Sequence, residues 1–100
     1  MTDGGDDERR TLELLEANHA FPGDYPLTVI AFNRDEITAQ VMRAIEEEVG
    51  APVPDEGRSS RLSAGGKYAS HRLSVPCRAA TDVVRLYARL RGIDGVVSVL

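Results

Sequence analysis

The stretch Arg58 to Pro76, RSSRLSAGGKYASHRLSVP, constrains the fold more than any other. It consists of two alternating runs, poor in acids, hinged at Gly65-Gly66. A two-residue hairpin turn there needs positive φ, which glycine adopts at little cost. In that register Ala64 opposes Lys67, Leu62 opposes Ala69 and Ser60 opposes His71. Successive side chains on a strand point to opposite faces. One face therefore collects Leu62, Ala64, Ala69, His71, Leu73, Val75 and Cys77, and the other Arg61, Ser63, Tyr68, Ser70, Arg72 and Ser74. The first face must be covered by another layer. The second is a polar, basic ribbon.

The rest of the chain supplies the cover. LTVIAF, Leu27 to Phe32, has only Thr28 polar and reads as a central strand covered on at least one face. In NRDEITAQVMRAIEEEVGAPVP, residues Ile37, Val41, Ile45 and Val49 recur at four-residue steps beside Ala44, which makes one apolar helical stripe. Asn33 followed by Glu36 marks its start, and Gly50, Pro52 and Pro54 its stop. In RAATDVVRLYARLRGIDG a second stripe joins Ala80, Val83, Val84, Tyr87 and Leu90, with Arg85 and Arg89 outward and Gly92 ending the helix. The closing VVSVL is a last strand. The order strand, helix, strand, strand, helix, strand predicts an α+β, ferredoxin-like βαββαβ sandwich. Its four-stranded antiparallel sheet carries two helices on one face, with the first and third strands central and the second at an edge.

At 100 residues, 42% hydrophobic and 28% charged, the chain holds one modest core. Residues 1–20 read as an acidic, flexible N-terminal tail or arm and residues 21–100 as the domain. MTDGGDDERR is a solvated tail in this reading, while Leu12 and Leu15 in TLELLEANHAF permit a short arm-like helix with no cap at its end. A net charge of -4 and a pI near 5.1 oppose a general nucleic-acid binder, whose affinity rests on cations neutralising phosphates. One cysteine, Cys77, excludes an intramolecular disulfide and a Cys-based zinc cluster. No apolar run approaches the roughly 20 residues that span a bilayer, and the start lacks the basic and apolar regions of a signal peptide. The expected location is cytoplasmic.

The hairpin SAGGKYASHRLSV resembles the Ser-x-x-Gly-x-Tyr-x-Ser hairpin of the small bacterial YbeD-like proteins through Ser63, Gly66, Tyr68 and Ser70. LELLEANHAFPGDYPLTV is similar to their Leu-Leu-Glu-Phe-Pro segment, and VVRLYARLRGIDGVVSVL to their Leu-Tyr close and hydrophobic last strand. The inserted ANHA and the acidic tail depart from that pattern. The resemblance implies an ACT-like variant of the fold, akin to regulatory domains that bind small molecules in amino-acid metabolic enzymes. It implies no established activity, so function has to be argued from the site.

Cys77 stands at a strand end, before a helix and beside Arg78, a setting that favours thiolate. Its place on the apolar face instead predicts an inert packed thiol. His71 shares that face, but six residues along one strand span about 20 Å at roughly 3.3 Å each, which removes a Cys–His dyad. His71 is expected half-buried near the sheet edge, His19 in a linker, and neither in a metal site. Glu46, Glu47 and Glu48 read as a solvated helix face. With no nucleophile elbow, phosphate-cradling loop or dinucleotide motif, neither catalysis nor a cofactor is expected.

Two binding surfaces remain. Arg61, Ser63, Tyr68, Ser70 and Arg72 form a polar sheet face that is either solvated or in contact with a protein partner or a second copy. RNA over that face is disfavoured, because Tyr68 is its one clear aromatic. The turn NRDE offers Asn33, Arg34 and Asp35 to a small ligand, Asn33 and Asp35 accepting from an ammonium, although helix capping competes and no glycine permits close backbone approach. The expected function is a non-enzymatic regulatory or protein-interaction module. The alternatives are an ACT-like sensor of an amino acid or metabolite and weak RNA binding over the sheet.

Overall fold

A computed structural model describes residues 3–100. Its elements run α1 (Asp3–Asn18), β1 (Gly23–Phe32), α2 (Asp35–Val49), β2 (Arg58–Leu62), β3 (Tyr68–Cys77), α3 (Ala80–Arg91) and β4 (Val96–Val99), with one 3-10 turn at Asp55–Gly57. The strands form one antiparallel sheet in the order β2-β3-β1-β4, the ferredoxin-like arrangement with β1 and β3 central.

β1 and β3 pair along ten residues each, from Gly23 opposite Cys77 to Phe32 opposite Tyr68. This long ladder fixes the register, and strand alternation then sorts the side chains. Tyr25, Leu27, Val29 and Ala31 of β1 and Ala69, His71, Leu73, Val75 and Cys77 of β3 are all buried. The covering layer brings Ile37, Val41, Ala44, Ile45 and Val49 from α2 and Ala80, Val83, Leu86 and Leu90 from α3. Each fully buried Leu, Ile or Val contributes about 1.5–3 kcal/mol by leaving water, so this single interface holds most of the apolar stabilisation.

Helix ends follow local chemistry. α2 stops at Gly50, whose φ of 73° lies in the left-handed region and whose N–H bonds the Glu46 carbonyl. Gly95, at φ 97°, passes so close to α2 that a Cβ there would overlap the Ile37 side chain. Its carbonyl accepts from Phe32 N at 2.9 Å, which anchors the approach to β4 beside β1.

Several expectations need correction. The hairpin keeps the expected pairs Leu62–Ala69 and Ser60–His71, but its turn is larger than two residues. Gly66 N bonds Ser63 O at 2.8 Å and Ser63 N bonds Tyr68 O at 2.9 Å, so Ala64 to Lys67 form the loop. Leu62 is 55% exposed, because every residue of edge strand β2 lies beyond the helical cover. On α3 the buried stripe runs through Leu86, with Val84 and Tyr87 on its flank; spacings of three and four fit both readings, and packing selects Leu86. α1 begins at Asp3, so Asp3 to Arg10 continue the arm helix where a tail was expected.

Candidate functional site

The helices cover one face of the sheet and leave the other bare. On the bare face lie Thr28, Ile30 and Phe32 of β1, Tyr68, Ser70, Arg72 and Ser74 of β3, and Ser59 and Arg61 of β2. The interaction residues read from the sequence are therefore divided between strand and turn. Arg61, Tyr68, Ser70 and Arg72 share the open face. Ser63 sits at its rim, where Ser63 Oγ accepts from Tyr68 N at 3.0 Å. A concavity of about 460 Å³ runs across this face, lined by Thr28, Ile30, Ser59, Arg61, Ser70 and Arg72 among others. The two arginines thus line the same hollow, with serine and threonine hydroxyls beside them.

One feature of this face escaped the sequence reading. Phe32, 36% exposed, stands directly opposite Tyr68, their ring centroids 5.2 Å apart and their planes inclined by 33°. The face therefore carries an aromatic pair, and Lys67 Nζ lies 5.5 Å from the Tyr68 centroid. The signal was present: Leu27, Val29 and Ala31 inward forces Thr28, Ile30 and Phe32 outward.

The turn NRDE follows Phe32 directly, at the C-terminal end of β1. Asn33 does not cap α2: Arg34 takes the N-cap position, and no side chain supplies a capping bond. Asn33 instead ties this turn to the hairpin loop, its N–H donating to Lys67 O at 2.9 Å and its Nδ2 to Gly66 O at 3.0 Å. Asp35 opens the first turn of α2, where its charge suits the helix dipole. Of the three, Arg34 lines a shallow cavity of about 390 Å³ with Phe32, Glu36, Gln40, Asp94 and Gly95.

Groups with reactive potential are engaged in structure. Cys77 is 2% exposed, and burial first, then the nearby Asp82 and Asp24 carboxylates, push its thiol up to about 11 against the pull of Arg78. His71 is more buried than expected, at 8% exposure. Its Nδ1 shares a hydrogen bond of 2.8 Å with Ser60 Oγ, and its Nε2 lies 3.5 Å from Thr38 Oγ1, so it links the edge strand to α2. Burial, with Arg58 adding, holds it below the ordinary histidine range.

Asp82, unremarked in the sequence, is 2% exposed and accepts from Arg78 N at 2.9 Å, from Arg78 Nε at 3.1 Å and from Arg78 Nη2 at 3.0 Å. These bonds hold its carboxyl below the usual range despite burial. Arg78 also donates to the Glu48 carbonyl at 2.9 Å, closing the C-terminal end of α2. The acidic run on α2 is only partly solvated: Arg89 pairs with Glu47 and, at 3.1 Å, with Glu48, joining α2 to α3. His19 packs against Tyr25, centroids 4.7 Å apart, rather than hanging free in a linker. Among the described residues no group of three or more His, Cys, Asp or Glu is placed to hold a metal, and no helix is long and apolar enough to cross a membrane.

No curated protein matches this chain. Residues 16–100 match the family described as "Protein of unknown function (DUF493)", which takes in every element except most of α1. The chain belongs to that family of small proteins, the one its hairpin and strand motifs resemble.

Proposed function

We propose that the protein is a non-enzymatic binding module whose working surface is the open face of its sheet. The observation that carries this reading is the bare, concave face on which Arg61 and Arg72 border one hollow. A sheet that only had to fold would gain nothing from two cations held side by side over hydroxyls, whereas a face that meets an anionic partner would. The Cys77 thiol is held protonated by burial, and the hydroxyl–imidazole pair of Ser60 with His71 has its imidazole 8% exposed and engaged with Thr38 on the other side, which fits a structural link and binding better than catalysis.

The test is the double variant Arg61→Glu/Arg72→Glu. Both side chains are exposed, so unfolding should shift by no more than about 0.5 kcal/mol, the range of ordinary surface changes. Material that copurifies with the wild-type protein, or a mass above that of one chain, should be lost. Retention of both would remove the open face from the account.

A second reading, an ACT-like sensor of a small metabolite, is favoured by the cavity at the end of β1. There Arg34 stands near Glu36 and Asp94, charges of both signs that suit a zwitterion. An amino acid bound there at 100 times its dissociation constant would stabilise the fold by about 2.7 kcal/mol, a shift of roughly 10–20 °C in thermal unfolding. No shift across a panel of amino acids would dismiss it.

A further inference from the structure

We propose that the open face binds short single-stranded RNA, with bases stacked on Phe32 and Tyr68 and phosphates held by Arg61 and Arg72. The inference rests on the open-face reading above and names its ligand.

Three observations converge. First, the aromatic pair sits on the two central strands, directly cross-strand, with rings inclined by only 33°, on the sheet face away from the helices, where Phe32 borders the start of α2 at Glu36. Unstacked bases can lie on such a surface, whereas a duplex hides its base faces. Second, Arg72 lies four residues along β3 from Tyr68, about 13 Å at roughly 3.3 Å per residue, and Arg61, opposite Ser70, lines the same hollow as Arg72, so both arginines extend the track to one side of the aromatic platform. Ser59, Ser70 and Thr28 add hydroxyls able to donate to phosphate or accept from a ribose 2′-OH.

Third, charge is segregated. From Arg58 to Cys77 the chain carries Arg58, Arg61, Lys67 and Arg72 and no Asp or Glu. The acids fall mainly on α1, on α2 and in the Asp55–Gly57 turn. The net charge of -4 therefore describes the whole surface and not this face.

Few phosphate contacts imply modest affinity with a shallow salt dependence. Two or three contacts give a log–log slope near -1.4 to -2.1 for a single strand, or about ten-fold weaker binding between 50 and 200 mM salt.

The experiment titrates the full isotope-labelled chain with a fluorescein-labelled, mixed-sequence RNA of eight nucleotides, reading anisotropy and backbone amide shifts, with a Glu-rich peptide as a second titrant. The expected result is saturable RNA binding with the ten-fold salt effect and amide shifts on β1, β2 and β3. Arg72→Glu and Tyr68→Leu should each weaken it at least five-fold; Tyr68→Leu keeps apolar bulk on the sheet, and an unchanged unfolding temperature shows that the fold survives. No RNA binding at 50 mM salt, or binding indifferent to Tyr68→Leu, overturns the inference. If the peptide alone shifts open-face amides, RNA is the wrong ligand but the face still binds. If either titrant shifts only α2 and α3, the open-face reading falls as well.

Discussion

The two faces of this sheet are built from the same strands and differ in almost every other respect. On β1, Leu27, Val29 and Ala31 are at most 2% exposed, while the interleaved Thr28, Ile30 and Phe32 stand on the open side. The covered face is apolar and complementary to two helices. The open face is mixed: hydroxyls, two arginines, an aromatic pair and the aliphatic side chains of Ile30 and Leu100. Residues on the covered face answer to packing density, where one missing methylene is felt. The composition of the open face is not explained by packing, which is why function is sought there.

Two positions on one strand, three residues apart, measure that difference most strongly. Leu27→Ala, emptying a site 2% exposed, should destabilise by about 2–5 kcal/mol, whereas Ile30→Ala on the open side should cost less than about 1.5 kcal/mol. Chemical denaturation of the two variants side by side reads the contrast. Equal losses would mean that the open face is covered in solution by something that packs as tightly as a core.

A polar link within the covered layer comes next. Asp82→Asn should cost about 1–3 kcal/mol at pH 6, since Arg78 loses the carboxylate that receives its backbone and guanidinium N–H groups. Because Asp82 titrates below its unfolded value, its stabilisation is complete above about pH 4 and is lost as pH falls through the folded value. The gap between wild type and variant should therefore close on acidification. A gap constant down to pH 2 would show that the carboxylate charge is not what matters.

The smallest effect concerns His71, the histidine of β3 on the covered face. Its folded pKa lies below the ordinary 6.5, so it favours the neutral state and stabilises above that value; stability is lost as pH falls from about 6.5 through the folded pKa. His71→Gln should flatten the unfolding free energy over that window. A slope unchanged by the substitution would place the proton elsewhere.

Much of this architecture was legible because it follows from periodicity. The Ile37-Val41-Ile45-Val49 stripe is buried as read, and the hairpin register through Leu62–Ala69 is as read. What escaped depended on tertiary context. Burial of Leu86 in place of Tyr87 turns on how α3 is rotated against the sheet, a choice that spacing alone leaves open. Leu62 looked like core because alternation assigns a face but not how far the helices reach over it. Asn33 looked like a cap because the hairpin loop that it holds lies over thirty residues away in sequence. Of the candidate site, the basic residues and Tyr68 were legible in RSSRLSAGGKYASHRLSVP, and the partner of Tyr68 was not. Pairing Phe32 with Tyr68 needs the β1–β3 register, which no local pattern encodes.

The central claim is that the open face does the binding, and photocrosslinking from one position on each side tests it most directly. A photoreactive residue at Ser70, on the open face, is compared in living cells with one at the exposed Arg85 of α3. The account expects adducts from Ser70 that vanish when Arg61 and Arg72 are changed to Glu, and none from Arg85. Adducts from Arg85 alone would contradict it and move the working surface to the helical layer.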